Sequence, residues 1–101
     1  MINLDQIDSS VAKEVLMLFI YGDEKTQKKV PDSLIKKLTK ISSTSDKEVK
    51  ITNIENIENE VSEDALNIFS ILYYAFIADE DEKKDILSSW INNEQINIEG
   101  D

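Results

Sequence analysis

The groups in this chain that could do chemistry are carboxylates, hydroxyls and lysines, because histidine, cysteine and arginine are all absent. The missing histidine and cysteine remove the commonest general base and the best nucleophile. The missing arginine removes the bidentate clamp for phosphate or carboxylate. The two glycines, Gly22 and Gly100, are too far apart to form a loop that cradles a nucleotide. No catalytic residue and no cofactor are therefore expected, and the chain reads as one that acts by binding.

Asp79, Glu80, Asp81, Glu82 and Asp85 form the densest acidic cluster. Hard cations take oxygen ligands, but the twelve-residue calcium loop with its central glycine and terminal glutamate is absent. Acids gathered at a helix start, where the dipole favours negative charge, account for the cluster without a metal. The basic cluster is Lys25, Lys28, Lys29, Lys36, Lys37 and Lys40. No aromatic residue is interleaved with these lysines, as a nucleic-acid site would prefer.

Charge is divided unevenly between the halves. Residues 1–50 hold nine lysines and eight acids; residues 51–101 hold two lysines and thirteen acids. From Ile51 to Glu82 there is no basic residue, and the net charge of the whole chain is −10. Such a surface repels nucleic acid and anionic membranes and attracts basic protein surfaces. The expected partner is another protein with a basic, nucleic-acid-binding face, and the expected role is inhibitor or immunity protein by charge mimicry. The acids expected to carry it are Glu55, Glu58, Glu60, Glu63, Asp64, Asp79, Glu80, Asp81 and Glu82. Tyr73 and Tyr74 join them, because adjacent tyrosines on a helix point about 100° apart and tyrosine is a favoured interface anchor. The alternative is a helical adaptor that binds through apolar surface, as a homo-oligomer or with another protein.

The segment Asp32-Ser33-Leu34 resembles in outline the attachment site of acyl carrier proteins: a serine after aspartate at a helix start in a small acidic bundle. The resemblance covers three residues and implies a phosphopantetheine arm on Ser33. Lys36, Lys37 and Lys40 follow where carrier proteins have an acidic helix, and Val30-Pro31 replaces the glycine-containing approach. An ordinary N-cap at Asp32 or Ser33 accounts for the same residues.

The elements that must position these groups follow from apolar spacing. Ile7, Val11, Val15, Leu18 and Phe19 repeat at helical steps over Asp8 to Tyr21, and Gly22 stands where a helix should stop. Leu16, Met17, Ile20 and Tyr21 widen the stripe nearly all the way round, the mark of a central or interface helix. Asp23 to Val30 is a polar connector with at most one helical turn. Pro31 opens a helix through Leu34, Ile35, Leu38 and Ile41. Residues 42–47 form a loop. Residues 48–54 suit either a short strand, from the alternation of Val49 and Ile51, or a helix start with a Thr52–Glu55 capping box. Ser62 caps a helix over Ala65 to Ala78, and a last helix runs from Asp81 to Asn92 with Ile86, Leu87, Trp90 and Ile91 apolar. Residues 93–101 read as a loose tail. Phe19 to Glu24 is echoed faintly 57 residues later by Phe76 to Asp81, each an apolar helix end followed by an acidic corner.

The expectation is a single all-α domain over 1–101, a compact bundle of four to five helices with a possible short strand at 48–54. The N-terminus lacks a secretory pattern, and the longest apolar runs, Val15–Tyr21 and Ile71–Ala78, fall far short of the about 20 residues that cross a bilayer. The expected location is the cytoplasm. The lysine-only, isoleucine- and asparagine-rich composition suggests an AT-rich genome such as a phage, another mobile element or its bacterial host.

Overall fold

The computed structural model describes residues 3–93, with side chains described through residue 89. The fold is all-α. Among the described residues six α-helices follow one another: α1 Ser9–Ile20, α2 Glu24–Lys29, α3 Asp32–Ser42, α4 Ile57–Glu60, α5 Glu63–Phe76 and α6 Glu80–Asn93. Two single 3-10 turns, Leu4–Gln6 and Ile54–Asn56, precede α1 and α4. The count exceeds four to five because the polar connector closes into a complete helix, α2, and residues 57–60 into a single turn, α4.

Short polar side chains start most of these helices. Asp8 accepts from the Ser10 backbone N–H at 2.8 Å, Asp23 from Thr26 at 2.8 Å, Ser62 from Ala65 at 3.2 Å, and Asp79 from Glu82 at 2.9 Å. Each satisfies an amide that has no carbonyl partner within its helix. Helix α3 differs. Pro31 occupies its N-cap with no side-chain hydrogen bond, and Asp32 and Ser33 are already helical, so neither is the cap the sequence suggested.

The core is shared by α1, α3 and α5. Ala12, Val15 and Phe19 of α1 meet Leu34 and Leu38 of α3, Ala65 and Leu72 of α5, and Ile77 just beyond it. Both α3 and α5 pack mainly on α1, which makes α1 the central helix. The Phe19 ring lies 4.8 Å from that of Phe69, centroid to centroid. Burying a side chain of this size stabilises by about 1.5–3 kcal/mol. The wide stripe of α1 is not covered all round, however: Ile20 and Tyr21 are 47% and 44% exposed.

No strand occurs among the described residues. Val49 and Ile51 are half-buried and Lys50 and Thr52 exposed, so the alternation is real. It lays two side chains onto the protein without a second strand to pair with. The Thr52–Glu55 capping box does not form either. Asn53 caps the 3-10 turn by accepting from Glu55 N–H at 3.0 Å, while Thr52 donates to Glu60 through both its hydroxyl and its backbone N–H. Helix α6 reaches Asn93, one residue into the expected tail. Residues 94–101 of that tail lie outside the described residues, as do the side chains of Trp90 and Ile91.

Candidate functional site

Helix α5 carries a two-turn face made of Leu66, Phe69, Ser70 and Tyr73, at the i, i+3, i+4, i+7 spacing that stacks residues on one side of a helix. Two open clefts share Phe69, Ser70 and Tyr73. One, of about 440 Å³, lies against α6 and is completed by Glu82, Asp85, Ile86 and Ser89. The other, of about 380 Å³, is bounded by Leu18, Gly22, Asp23 and Thr26 of the α1–α2 corner and by Ile57 and Glu58 of α4. The floor is mainly apolar, and its polar atoms have partners. The Ser70 hydroxyl donates to Leu66 O at 2.9 Å and the Tyr73 hydroxyl to Glu82 at 2.6 Å. The rim holds four carboxylates, Asp23, Glu58, Glu82 and Asp85, and no lysine lines either cleft.

The acidic corner between α5 and α6 is internally engaged on one side and open on the other. Lys25 pairs with Asp79 at 3.0 Å and also with Glu82. Asp79 further caps α6, and Glu82 is held by Tyr73. Glu80 and Asp81 project outward, Glu80 with only a 4.0 Å approach from Lys83. Tyr73 and Tyr74 are both half-buried. Tyr73 packs 5.9 Å from Phe69, and the Lys83 ammonium stands 5.7 Å from the Tyr74 ring centre, within cation–π range.

The remaining expected residues fall along the 3-10 turn before α4, α4 itself and the start of α5. Glu55, Glu58, Glu63 and Asp64 are exposed. Glu60 is half-buried; the Thr52 hydroxyl and then the Asn53 N–H bonded to it hold its carboxyl below the usual range. Glu58 joins the α5 face together with Glu82 and Tyr73, whereas Glu63 and Asp64 sit at the far end of α5, where they face the positive end of its dipole.

Two residues that the sequence did not single out prove to join distant helices. Glu14 lies in the apolar stripe of α1, is 9% exposed, and accepts from the Ser62 N–H at 2.6 Å. It thereby brings a carboxylate to the N-terminus of α5 and ties that helix to α1. Its signal was available: it is the one acid within Ser9–Ile20. Lys25 looked like one of six equivalent lysines, yet it alone among the described ion pairs links the two halves. Lys36, Lys37 and Lys40 instead line a cleft with Asp5, Ile7 and Ser9, where Lys37 approaches Asp5 at 3.4 Å.

Among known proteins, the chain matches no family model, no curated sequence and no solved structure. Among the described residues no group of three or more carboxylates is placed to hold a metal ion, and no helix is long and apolar enough to cross a membrane.

Proposed function

We propose that this protein is a non-catalytic, cytoplasmic binding protein of the inhibitor or immunity type, which docks its acidic second half onto a basic, nucleic-acid-binding surface of another protein. One observation carries the reading. Glu55, Glu58, Glu63, Asp64, Asp81 and Asp85 are exposed and form no ion pair with any described residue. Exposed carboxylates without internal cations project a negative field that steers a basic partner and raises the association rate. Lys83 and Lys84 of α6 are the only cations within residues 51–101; the other lysines lie in residues 1–50, mainly on α2 and α3, and among the described ion pairs Lys25 alone reaches across.

The test is capture of the partner at low salt, followed by competition. Binding should weaken steeply as ionic strength rises from about 0.05 to 0.5 M, because the Debye length shrinks across that range. Duplex DNA or RNA should displace this protein from its partner. Binding that ignores both salt and nucleic acid would replace this reading with the apolar adaptor, for which exposed Ile20, Tyr21 and Phe76 are the available anchors.

A further inference from the structure

The floor and the rim of the α5 face make contrary demands on a ligand, and few ligands meet both. The floor presents Leu66, Phe69 and Tyr73 along about 10 Å, two helical turns. Its centre, Ser70, is small and its hydroxyl is already bonded to Leu66 O, so a partner's side chain can approach closely without leaving a polar atom unsatisfied. The rim presents carboxylates on both sides: Glu58 and Asp23 on one, Asp85 and Glu82 on the other. Glu58 and Asp85 have no ion pair with any described residue. A phosphate backbone meets the rim with like charge. A wholly apolar ligand leaves the rim carboxylates desolvated and unpaired, which is costly.

We propose that this face is a groove for a basic amphipathic helix of the partner protein. The helix lays an apolar i, i+3, i+4, i+7 stripe onto Leu66, Phe69, Ser70 and Tyr73, and its flanking lysines or arginines pair with Glu58 and Asp85. Helix-in-groove recognition takes this form: apolar anchors provide contact and flanking charge sets orientation. The inference rests on the acidic-docking reading above and narrows it to one face and one partner element.

The test uses the full chain and a synthetic fourteen-residue leucine–lysine peptide of helical periodicity, with a scrambled peptide of identical composition beside it. Fluorescence anisotropy gives affinity, and amide chemical shifts locate the site. The helical peptide should bind about tenfold more tightly than the scrambled one, and the largest shifts should fall on Leu66, Phe69, Ser70, Tyr73 and Ile86. Reversing the free rim charges, Glu58→Lys with Asp85→Lys, should weaken binding about tenfold or more. An equal reversal of exposed acids outside the proposed docking set, Asp46→Lys with Glu48→Lys, should change it by less than about twofold. All four positions are exposed, and circular dichroism verifies that both variants keep the helical fold. Equal weakening by both pairs would overturn the groove while leaving general acidic docking intact. Tight binding that neither pair weakens, or shifts centred elsewhere, overturns the groove as well. No binding by either peptide at low salt removes both readings.

Discussion

At the α1–α2 corner Asp23 accepts from the Thr26 N–H; at the α5–α6 corner Asp79 accepts from the Glu82 N–H. The caps are alike, at a structural offset of 56 residues, one less than the echo in the sequence. The packing behind them is not alike. At the first corner Gly22 permits α2 to press against the end of α1: a Cβ there would stand 2.9 Å from Leu18 O and 3.1 Å from Thr26. Thr26 is accordingly buried to 3% exposure. At the second corner Ala78 stands in place of the glycine and Glu82 in place of Thr26, and Glu82 stays half-buried, held by Tyr73 and Lys25. Helix α6 stands off α5, and the space becomes the cleft over Phe69 and Tyr73. The same local turn thus encloses a small side chain in one place and leaves a long charged one beside an open cleft in the other.

The strongest way to break this comparison is to truncate the last phenylalanine of each apolar helix. Phe19, 1% exposed, precedes the tight corner, and Phe76, 52% exposed, precedes the open one. Phe19→Ala should cost about 3–5 kcal/mol, and Phe76→Ala less than about 0.5 kcal/mol, the range of an ordinary surface change. Urea unfolding of the two variants measures both; equal losses would mean that the corners are packed alike.

Gly22 offers the next test. Its neighbour at 2.9 Å is backbone and cannot move aside cheaply, so Gly22→Val should destabilise by about 1–3 kcal/mol. Ala78→Gly, at the open corner, should cost only about 0.5–1 kcal/mol through chain entropy. A neutral Gly22→Val would show that α2 is free to swing out.

Removing the caps sharpens the likeness rather than the difference. Asp23→Ala and Asp79→Ala should each cost about 1 kcal/mol in thermal or urea unfolding. Asp79 also pairs with Lys25, but the pair is half-exposed and adds less than about 1 kcal/mol. A loss at one position and none at the other would show that the two caps are not equivalent.

The smallest effect concerns acid. The Thr26 N–H, and next its hydroxyl, hold the Asp23 carboxyl below the usual aspartate range. A lowered folded value contributes stability that is fully present above the unfolded aspartate pKa of about 4 and is lost as pH falls through the folded value. Asp23→Asn keeps a capping oxygen but does not titrate. The melting temperature of the wild type should therefore fall more than that of Asp23→Asn between about pH 5 and pH 2.5. Identical acid profiles would mean that the cap does not depend on ionisation.

Much of the bundle was legible because it rests on local signals. Asp8 and Ser62 cap the helices that the apolar spacing placed behind them, and Leu34 and Leu38 mark the buried face of α3. The reading failed where local signals were shared by two outcomes. Val49 and Ile51 alternate in a segment that rests on the surface as readily as they would in a strand, and only a second strand could have decided between them. Thr52 could cap through Glu55, yet Glu60, eight residues away, took the bond. The site was less legible than the fold. The acids and Tyr73 could be named from composition and helical spacing, but not the face that collects Glu58, Glu82 and Asp85 around Leu66, Phe69 and Ser70.

Charge division, the absence of histidine, cysteine and arginine, the capped starts of α1 and α5 and the apolar faces of α1, α3 and α5 were determined by the sequence itself. Each depends on residue type or on spacing within a few turns. The parallel pairing of α1 with α5, the burial of Glu14 against Ser62, the reach of Lys25 to Asp79 and the cleft beside α6 were decided only in the tertiary structure. Each joins residues between 9 and 54 positions apart. Whether such groups meet depends on how whole helices pack, and the periodicity of a single helix carries no record of its neighbour.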